Sequence, residues 1–149
     1  MSRTLRLADP ENLEVVMRLV TAFHAEEGIE QDAATREAAL RPLLEGSPFG
    51  AVYLIGPARA PLGYVIVTFG WSVEFGGMDG FVDEIYIRPA VRGRGIASEV
   101  LIELPKALAA AGLTALHLEV DRENETAQRL YTRTGFRSRE RYMLMSKTL

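Results

Sequence analysis

The sequence predicts an α/β fold of the α+β type, in which a mixed, mostly antiparallel central sheet is flanked by helices. Three strand-like runs follow one another in the middle of the chain with only short turns between them, which favours an antiparallel meander. The third run, Phe81 to Ile87, is followed by a helical segment and then by the strand-like run Leu113 to Val120. This βαβ unit adds one parallel pair to the sheet. The predicted order of elements is β-α-α-β-β-β-α-β-α-β.

The N-terminal third predicts one strand and two helices. Thr4 to Leu7 alternates in polarity, as a short strand does. Asp9-Pro10 then forms a helix start, with an N-cap residue followed by proline at the first helical position. This helix is predicted to end at Glu27. A second helix is predicted from Asp32 to Leu44, with its last turn disturbed by Pro42.

The other elements follow from apolar runs and the glycines that interrupt them. Gly76 to Gly80 is a break before the third middle strand, and a helix from Gly95 to Ala111 contains Pro105, which should kink it. A short helix from Asn124 to Thr134 and one or two strands between Phe136 and Lys147 follow. The chain is expected to form a single domain, residues 1–149. The predicted middle strands are Ala51 to Ile55, Leu62 to Phe69 and Phe81 to Ile87.

Composition excludes several classes of protein. The 149 residues are 48% hydrophobic and 25% charged, as is usual for a globular protein. The chain has no cysteine, which excludes disulfides, thiolate metal sites and an acyl-cysteine intermediate. The two histidines, His24 and His117, are far apart in sequence, so no metal site is expected. The net charge of -3, with no membrane-length apolar run and no secretory stretch, predicts a cytoplasmic protein without nucleic-acid or membrane partners.

The most informative segment is the glycine-containing turn Arg92 to Ala97, which lies between a predicted strand and a predicted helix. Glycines let the backbone approach a ligand, and the first turn of a helix offers unpaired N–H groups and a positive dipole end. Together these features are typical of a phosphate-binding site. A tight connection with solvated arginines explains the segment equally well. A Rossmann fingerprint requires glycine where Ser98 stands, and the Gly-Lys dipeptide of a Walker loop is missing.

Two motifs together resemble the GNAT superfamily of N-acetyltransferases. The run from Val82 to Ala97 resembles the coenzyme A signature of that family, which is Arg or Gln, two residues, Gly, one residue, and Gly or Ala. Arg92, Gly95 and Ala97 satisfy this pattern. The run from Asn124 to Phe136 carries the family's Asn, Ala, Leu-Tyr and Gly-Phe at the expected spacing. The order of elements also resembles the GNAT fold over essentially the whole chain.

The resemblance implies acetyl-CoA as the cosubstrate and no metal. The backbone of Ile85, Tyr86 and Ile87 would pair with the pantetheine arm as if the arm were an added strand. Asn124 would contact the coenzyme arm and fix the loop before the last helix. The residues implied to bind the coenzyme phosphates are Arg92, Gly93, Arg94, Gly95, Ile96, Ala97 and Ser98.

The resemblance also implies three candidate catalytic residues. Tyr131 matches the family tyrosine near the sulfur and would protonate the thiolate, since a phenol with an ordinary pKa of about 10 is a competent acid. A packed aromatic beside Leu130 is the alternative. Asp83 matches the base position of spermidine/spermine-type members, which the local sequence resembles, and Glu84 is the other candidate. On a regular strand these neighbours point to opposite faces. A solvated strand end, or a water chain acting as the base, stays open.

The expected reaction is transfer of the acetyl group of acetyl-CoA to a primary amine of a small molecule or peptide. Direct attack in a ternary complex is expected, because no cysteine is present to carry the acetyl group. A non-catalytic acyl-CoA-binding or sensing module and a transferase for another acyl group are the alternatives. The acceptor is not identified by any motif, and a homodimer is expected only from the family. His24, Glu26 and Glu27 close the first helix and are interpreted as a solvated helix end, with contact of Glu26 or Glu27 with a cationic substrate as the alternative. His117 and Glu119 are interpreted as a surface or partly covered pair, with a proton relay as the alternative.

Overall fold

The structure, a computed structural model, describes residues 4–149 and consists of two compact units. The first ends at Glu119 and the second comprises Val120–Leu149. The first unit contains β1 (Leu5–Leu7), α1 (Leu13–Glu27), α2 (Ala33–Leu44), β2 (Gly50–Ile55), β3 (Gly63–Ser72), β4 (Gly77–Ile87), α3 (Ile96–Ala110) and β5 (Ala115–Leu118). The second contains α4 (Glu125–Arg133). That the whole chain is one domain stays a prediction.

The five strands form one sheet in the order β1-β2-β3-β4-β5. The strands from β1 to β4 are antiparallel to their neighbours, and β4 and β5 are parallel. The parallel pair is joined through α3, as a crossover connection requires. The predicted mixed, mostly antiparallel sheet with flanking helices is therefore confirmed.

Each face of the sheet carries its own apolar core, because successive side chains of a strand point to opposite faces. One core joins the sheet to α3 and the other joins it to α1 and α2. The α3 side contains Tyr53, Ile55, Val65, Val67, Val82, Val100, Leu104 and Leu108. The side of α1 and α2 contains Val16, Leu19, Val20, Leu40, Leu44, Val52, Leu54, Tyr64, Ile66 and Tyr86.

The predicted helix signals are found where the sequence placed them. Asp9 caps a short 3-10 turn that leads into α1, and its side chain accepts a hydrogen bond from the backbone N–H of Glu11 at 2.9 Å. Gly28 ends α1 with φ of 71°, the left-handed conformation that glycine adopts readily. Pro42 and Pro105 lie inside α2 and α3, and both helices continue past them.

The hairpin between β3 and β4 is longer than predicted. β3 continues to Ser72 and β4 begins at Gly77, so the expected break Gly76 to Gly80 lies mostly within a strand. Cross-strand pairing overrides the weak strand preference of these glycines. At Gly80 a β-carbon would lie 2.9 Å from a methyl carbon of Leu113, so close packing favours glycine there.

The predicted final strand is not present. Residues 134–149 contain no strand, and Tyr142 N–H donates to the carbonyl of Arg139 at 3.0 Å in a local turn. The apolar residues Tyr142, Met143, Leu144 and Met145 are exposed. A run of apolar residues forms a strand only where its backbone finds a partner for the ladder of hydrogen bonds.

Gly63 provides a test of the β3–β4 contact. It pairs with Ile87, and a β-carbon on it would lie 2.0 Å from the carbonyl oxygen of Tyr86. Gly63→Ala should therefore lower the free energy of unfolding by about 1–3 kcal/mol or more, measured by urea denaturation. Gly70→Ala is the control, since its β-carbon meets only the side chain of Asp79, at 3.1 Å. Equal stability of the two variants would contradict this account of the hairpin.

Candidate active site

Strand β4 is bulged at Asp83. Ile66 of β3 pairs with Glu84 and Val67 pairs with Val82, so Asp83 is the extra residue without a partner across the pair. The expectation that Asp83 and Glu84 point to opposite faces assumed a regular strand, and the bulge removes that assumption. As a result Val82 lies in the α3 core, whereas Glu84 reaches residues of the opposite core.

Both carboxylate oxygens of Glu84 are hydrogen-bonded. The Tyr64 hydroxyl donates to Oε1 at 2.7 Å, and Nε2 of His24 lies 2.7 Å from Oε2. The side chain of Glu84 is only 15% exposed, so these contacts are made largely out of water. Two hydrogen bonds, one to each oxygen, therefore fix the orientation of this carboxylate.

His24 is in turn held by Arg36. Arg36 Nε donates to His24 Nδ1 at 3.2 Å, and its other nitrogens donate to the hydroxyl of Thr21 at 3.2 Å and the carbonyl of Gln31 at 3.1 Å. His24 and Arg36 are 6% and 7% exposed. The interpretation of His24 as a solvated or partly covered helix end is therefore wrong, because the ring is buried against the sheet. We call Arg36, His24, Glu84 and Tyr64 the buried polar network.

Sequence reasoning missed this network, although a signal for it was present. His24 stands four residues beyond Val20, which is itself four beyond Val16, so the apolar stripe of α1 runs directly into it. Arg36 likewise stands four residues before Leu40 on α2. A polar residue that continues an apolar stripe is a candidate for a buried, partnered side chain.

Asp83 is electrostatically different from Glu84. Its side chain keeps an exposed surface, and no described residue donates a hydrogen bond to it. Desolvation by the surrounding protein raises the pKa of the Asp83 carboxyl above its ordinary value, and the negative charges of Glu84 and Glu119 raise it further. Asp83 thus takes up a proton more readily than an ordinary aspartate does.

The edge of β4 beyond Val82 is open toward β5. The strand β5 pairs only with residues 79–82 of β4, whereas residues 84–87 pair with β3 on the other side. Within the described sheet, Ile85, Tyr86 and Ile87 therefore have no strand partner on the β5 side. These are the three residues for which an added, strand-like ligand was predicted.

The glycine turn leads from this edge into α3. Gly93 and Gly95 have φ of 79° and 78°, a conformation that residues with a side chain rarely adopt, and a β-carbon on either would meet no atom within 4 Å. No side chain caps the N-terminus of α3, so Ile96 and Ala97 at its first turn present backbone N–H groups without such a partner. Room and donors for an anion are both present here.

The arginines of the turn differ in their engagement. Arg92 donates through Nη2 to both carboxylate oxygens of Glu26, at 2.9 and 2.8 Å, and through Nε to the carbonyl of Ile87 at 2.8 Å. Its guanidinium also lies 5.5 Å from the ring centroid of Tyr86. Arg94 is exposed. The side chain of Arg92 thus anchors the turn to α1, and its charge lies beside the turn rather than in it.

In the second unit, Asn124 and Tyr131 have local structural roles. The side-chain oxygen of Asn124 accepts from the N–H of Ala127 at 3.0 Å and so caps α4. The ring of Tyr131 lies 6.0 Å from that of Phe136 in an edge arrangement. The backbone N–H of Phe136 also donates to the carbonyl of Tyr131 at 2.9 Å.

His117 pairs with a different acid from the one considered in the sequence. Its Nε2 lies 3.1 Å from Oδ2 of Asp79, and the ring contacts Phe75 edge-on at 4.9 Å. Residues 4–149 contain no group of three or more His, Asp or Glu side chains that could hold a metal ion. In that same part of the chain, no helix has the length and apolar character needed to cross a membrane.

Comparison with known proteins identifies the family to which the two sequence motifs belong. The family described as Acetyltransferase (GNAT) matches residues 15–136, which confirms the resemblance seen in the two motifs. Over 71 residues the chain is 34% identical to the uncharacterized N-acetyltransferase YycN of Bacillus subtilis (strain 168). That segment is 48% of this chain and 44% of YycN, so less than half of the relative is matched.

Solved structures share the fold along the whole chain. An integron cassette protein from the mobile metagenome of Cole Harbour Salt Marsh is 29% identical, with a TM-score of 0.84 over 98% of this chain and 90% of that one. A predicted acetyltransferase from Clostridium acetobutylicum, solved with acetyl-CoA, is 16% identical, with a TM-score of 0.77 over 95% and 94%. The ribosomal-protein-alanine N-acetyltransferase of Brucella melitensis biovar Abortus 2308 is 19% identical, with a TM-score of 0.74 over 96% and 99%.

The raised pKa of Asp83 has a consequence for stability. A carboxyl whose pKa is higher in the folded state binds more protons there, so stability falls as the pH rises through its titration. Asp83→Asn removes this charge and should raise Tm at pH 7.5, with the gain vanishing in acid, where Asp83 is protonated in both states. Thermal unfolding followed by circular dichroism at a series of pH values measures it.

Asp32 is a matched control of opposite sign. It caps α2, and the hydrogen bond from the backbone N–H of Thr35 lowers the pKa of its carboxyl. Its charge therefore stabilises the fold at neutral pH, and this is lost as the pH falls through the lowered pKa. Asp32→Asn should lower Tm at pH 7.5 and not in acid. The same sign for both variants would contradict the electrostatic account.

Proposed function

This chain belongs to the GNAT family of acetyltransferases, and on that premise we propose that it transfers the acetyl group of acetyl-CoA to a primary amine of a small molecule or peptide. The observation that carries the proposal is the continuity of one segment, residues 82–97. It contains a bulge with two neighbouring carboxylates, an open strand edge and a glycine turn at a helix start, in that order. Amine attack on a thioester requires a proton acceptor, and binding of a coenzyme A thioester requires groups that hold its arm and its phosphates.

The coenzyme is proposed to bind along this segment. The backbone groups of Ile85, Tyr86 and Ile87 on the open edge would pair with the amide groups of the pantetheine arm, as in strand addition. The phosphates would take the space beside Gly93 and Gly95, where the N–H groups that open α3 supply donors. The remaining residues proposed for this anion site are Arg92 and Arg94, through their charge, and Ile96, Ala97 and Ser98, through their backbone.

Asp83 is proposed as the proton acceptor. Its carboxylate has no hydrogen-bond donor among the described residues, and its raised pKa makes it a better base than an ordinary aspartate. Glu84 has both oxygens engaged by Tyr64 and His24. We therefore place the proton on Asp83 and retain Glu84 as the fixed negative charge beside it.

Tyr131 is proposed as the proton donor and Asn124 as a contact of the coenzyme arm, both from the family motif that they match. In the reaction the carbon–nitrogen bond of the amide forms and the carbon–sulfur bond of the thioester breaks. One proton leaves the amine for Asp83, and one leaves the Tyr131 hydroxyl for the thiolate. Exchange with solvent resets both groups, so no acyl-enzyme is required.

Other parts of the expected function stay predictions. These are the cytoplasmic location, the homodimer, the amine acceptor and the spermidine/spermine-type similarity. The two alternatives are a non-catalytic acyl-CoA-binding module and a transferase for another acyl group. The rate of thiol release from acetyl-CoA distinguishes both alternatives from the proposed function.

The test is thiol release from acetyl-CoA in the presence of a panel of amines: polyamines, amino acids, aminoglycosides, and peptides with a free N-terminus or lysine. The expected result is turnover with at least one class, and an acetylated amine by mass spectrometry. Tyr131→Phe keeps the ring and its contact with Phe136 but removes the proton, so kcat should fall about 100- to 10,000-fold with the Kd for acetyl-CoA nearly unchanged.

Binding without turnover across the panel would favour the acyl-CoA-binding alternative. Turnover only with propionyl- or succinyl-CoA would identify a different acyl donor. A Tyr131→Phe enzyme within about twofold of the wild type in kcat would show that water or another group supplies the proton.

The anion site is tested at Gly95. Gly95→Ala places a methyl group in the open space proposed for the phosphates, so the affinity for CoA should fall about tenfold or more, a loss of about 1.4 kcal/mol. Isothermal titration calorimetry with CoA measures the affinity. Gly46→Ala is the control, because Gly46 also has a positive φ, 93°, with nothing within 4 Å of the added carbon. Both variants should lose a similar stability of about 1–2 kcal/mol, and only Gly95→Ala should lose CoA affinity.

A further inference from the structure

We propose that Arg36 and His24 act as positioning residues, which hold Glu84 as an oriented carboxylate next to Asp83 in the acyl-transfer site. The inference rests on the proposed function and deepens it, by assigning a role to two residues that no motif of the sequence singles out. Neither residue is proposed to touch the substrate. Both are proposed to act through Glu84.

The direction of each hydrogen bond in the buried polar network is determined by chemistry. A guanidinium is always a donor, so Arg36 Nε must donate to His24 Nδ1, which therefore carries a lone pair. The ring proton then lies on Nε2, which donates to Glu84 Oε2 at 2.7 Å. Tyr64 donates its hydroxyl proton to Oε1. Arg36 thus selects the one neutral tautomer of His24 that can orient Glu84.

Arg36 brings a positive charge to the buried polar network. A second proton on His24 would place an N–H group against the N–H group of Arg36, which is unfavourable, so the ring stays neutral in this arrangement. Arg36 then supplies the compensating positive charge, and the His24 ring lies between its guanidinium and the Glu84 carboxylate. A neutral ring between the two conveys orientation without quenching the negative charge beside Asp83.

Burying Arg36, His24 and Glu84 costs free energy, so a contribution to stability is not a sufficient reason for placing these polar side chains in the interior. A charged group removed from water loses several kcal/mol of hydration, and well-packed apolar residues often stabilise a fold as well as a buried ion pair does. Thr21 and Gln31 accept from the two other guanidinium nitrogens of Arg36, so each of its three nitrogens has an acceptor. A fully satisfied network that ends beside the bulge is what a positioning device requires.

Glu84 and Asp83 are coupled to every element packed around them. His24 comes from α1, Arg36 from α2, Tyr64 from β3, and Glu119 follows β5. Asp83 responds to the negative charges of Glu84 and Glu119. A change in the network must therefore appear in the titration of the carboxylate pair, which behaves as one coupled system.

Two variants should move the acidic limb of the kcat/KM profile in opposite directions. Glu84→Gln removes the neighbouring negative charge, which favours ionised Asp83, so the limb should move to lower pH. His24→Phe removes the donor that stabilises ionised Glu84, so the pair should keep its last proton to higher pH, and the limb should move up. A merely structural role of His24 would lower Tm without moving the limb.

The rates give an independent readout. His24→Phe and Arg36→Met should each lower kcat, up to about 100-fold, the cost of a misplacement near 1 Å, with the Kd for acetyl-CoA unchanged. His24→Gln restores a neutral donor to Glu84 and should recover most of the loss. Arg41→Met is the matched control for Arg36→Met, because Arg41 is an exposed residue of the same helix, paired with Glu37 at 2.8 Å.

A spectroscopic measurement keeps the inference testable if a variant fails to fold or if no acceptor is found. In the wild-type protein at pH 7.5, nitrogen-15 NMR of labelled histidine should show His24 neutral with its proton on Nε2. In Arg36→Met that pattern should be lost, while the signals of His117, paired with Asp79, stay unchanged. Absence of turnover with every amine would contradict the proposed function and leave this result standing on its own.

Two outcomes would overturn the inference. One is a folded His24→Phe enzyme with kcat within about twofold of the wild type and an unmoved acidic limb. The other is a wild-type spectrum in which His24 is cationic or carries its proton on Nδ1.

Discussion

The single extra residue in β4 determines which side chains meet on each face of the sheet. Because strand side chains alternate, an unbulged β4 would place Val82 and Glu84 on the same face. The bulge at Asp83 instead directs Val82 and Ile85 toward the core beside α3, and Glu84 and Tyr86 toward α1 and α2. One irregular position therefore reconciles an apolar strand with an inward-pointing carboxylate, which is a known use of bulges beside active sites.

The buried polar network follows from this arrangement. Once Glu84 points at two packed helices, its oxygens need partners there, and α1 supplies His24 as a hydrogen-bond donor while α2 supplies Arg36, which holds His24. Among residues 4–149, no buried side-chain nitrogen or oxygen is left without a hydrogen-bond partner. In a low-dielectric interior a complete network is rigid, whereas an incomplete one is costly. The helices thus contribute to the site as well as to the core.

The features that the sequence predicted correctly depend on residues close together in the chain. The caps and glycines of α1 and α3, the parallel β4–β5 pair, and the glycine turn depend on neighbouring residues or on a short βαβ unit, and their positions were confirmed. The bulge depends on register with β3, which lies some twenty residues earlier in the chain. Neither the bulge nor the pairing of His24 with Glu84, sixty residues apart, leaves a local signal. Only the apolar stripes that run into His24 and Arg36 indicated that these side chains are buried.

Two predicted strands, one near each end of the chain, had different outcomes. The short run Leu5–Leu7 forms a strand because β2 provides a ladder for it, with Leu5 opposite Ile55. The tail has a run of apolar residues and no such ladder, and Met143 and Met145 in it are exposed. Strand preference in a sequence is therefore a preference for a paired environment, and the partner decides whether it is realised.

The contacts of Arg92 bear on the thermodynamics of any ligand that binds at the glycine turn. Its bonds to Glu26 and to the carbonyl of Ile87 tie the turn to α1 and β4 with protein groups alone. The conformational entropy of the turn is then lost during folding rather than during association, so a ligand meets a preorganised surface. Part of that preorganisation depends on an ion pair whose side chains are 43% and 40% exposed, and such a pair is weakened as ionic strength rises. Salt would thus loosen the turn itself, in addition to screening the charge of an incoming anion.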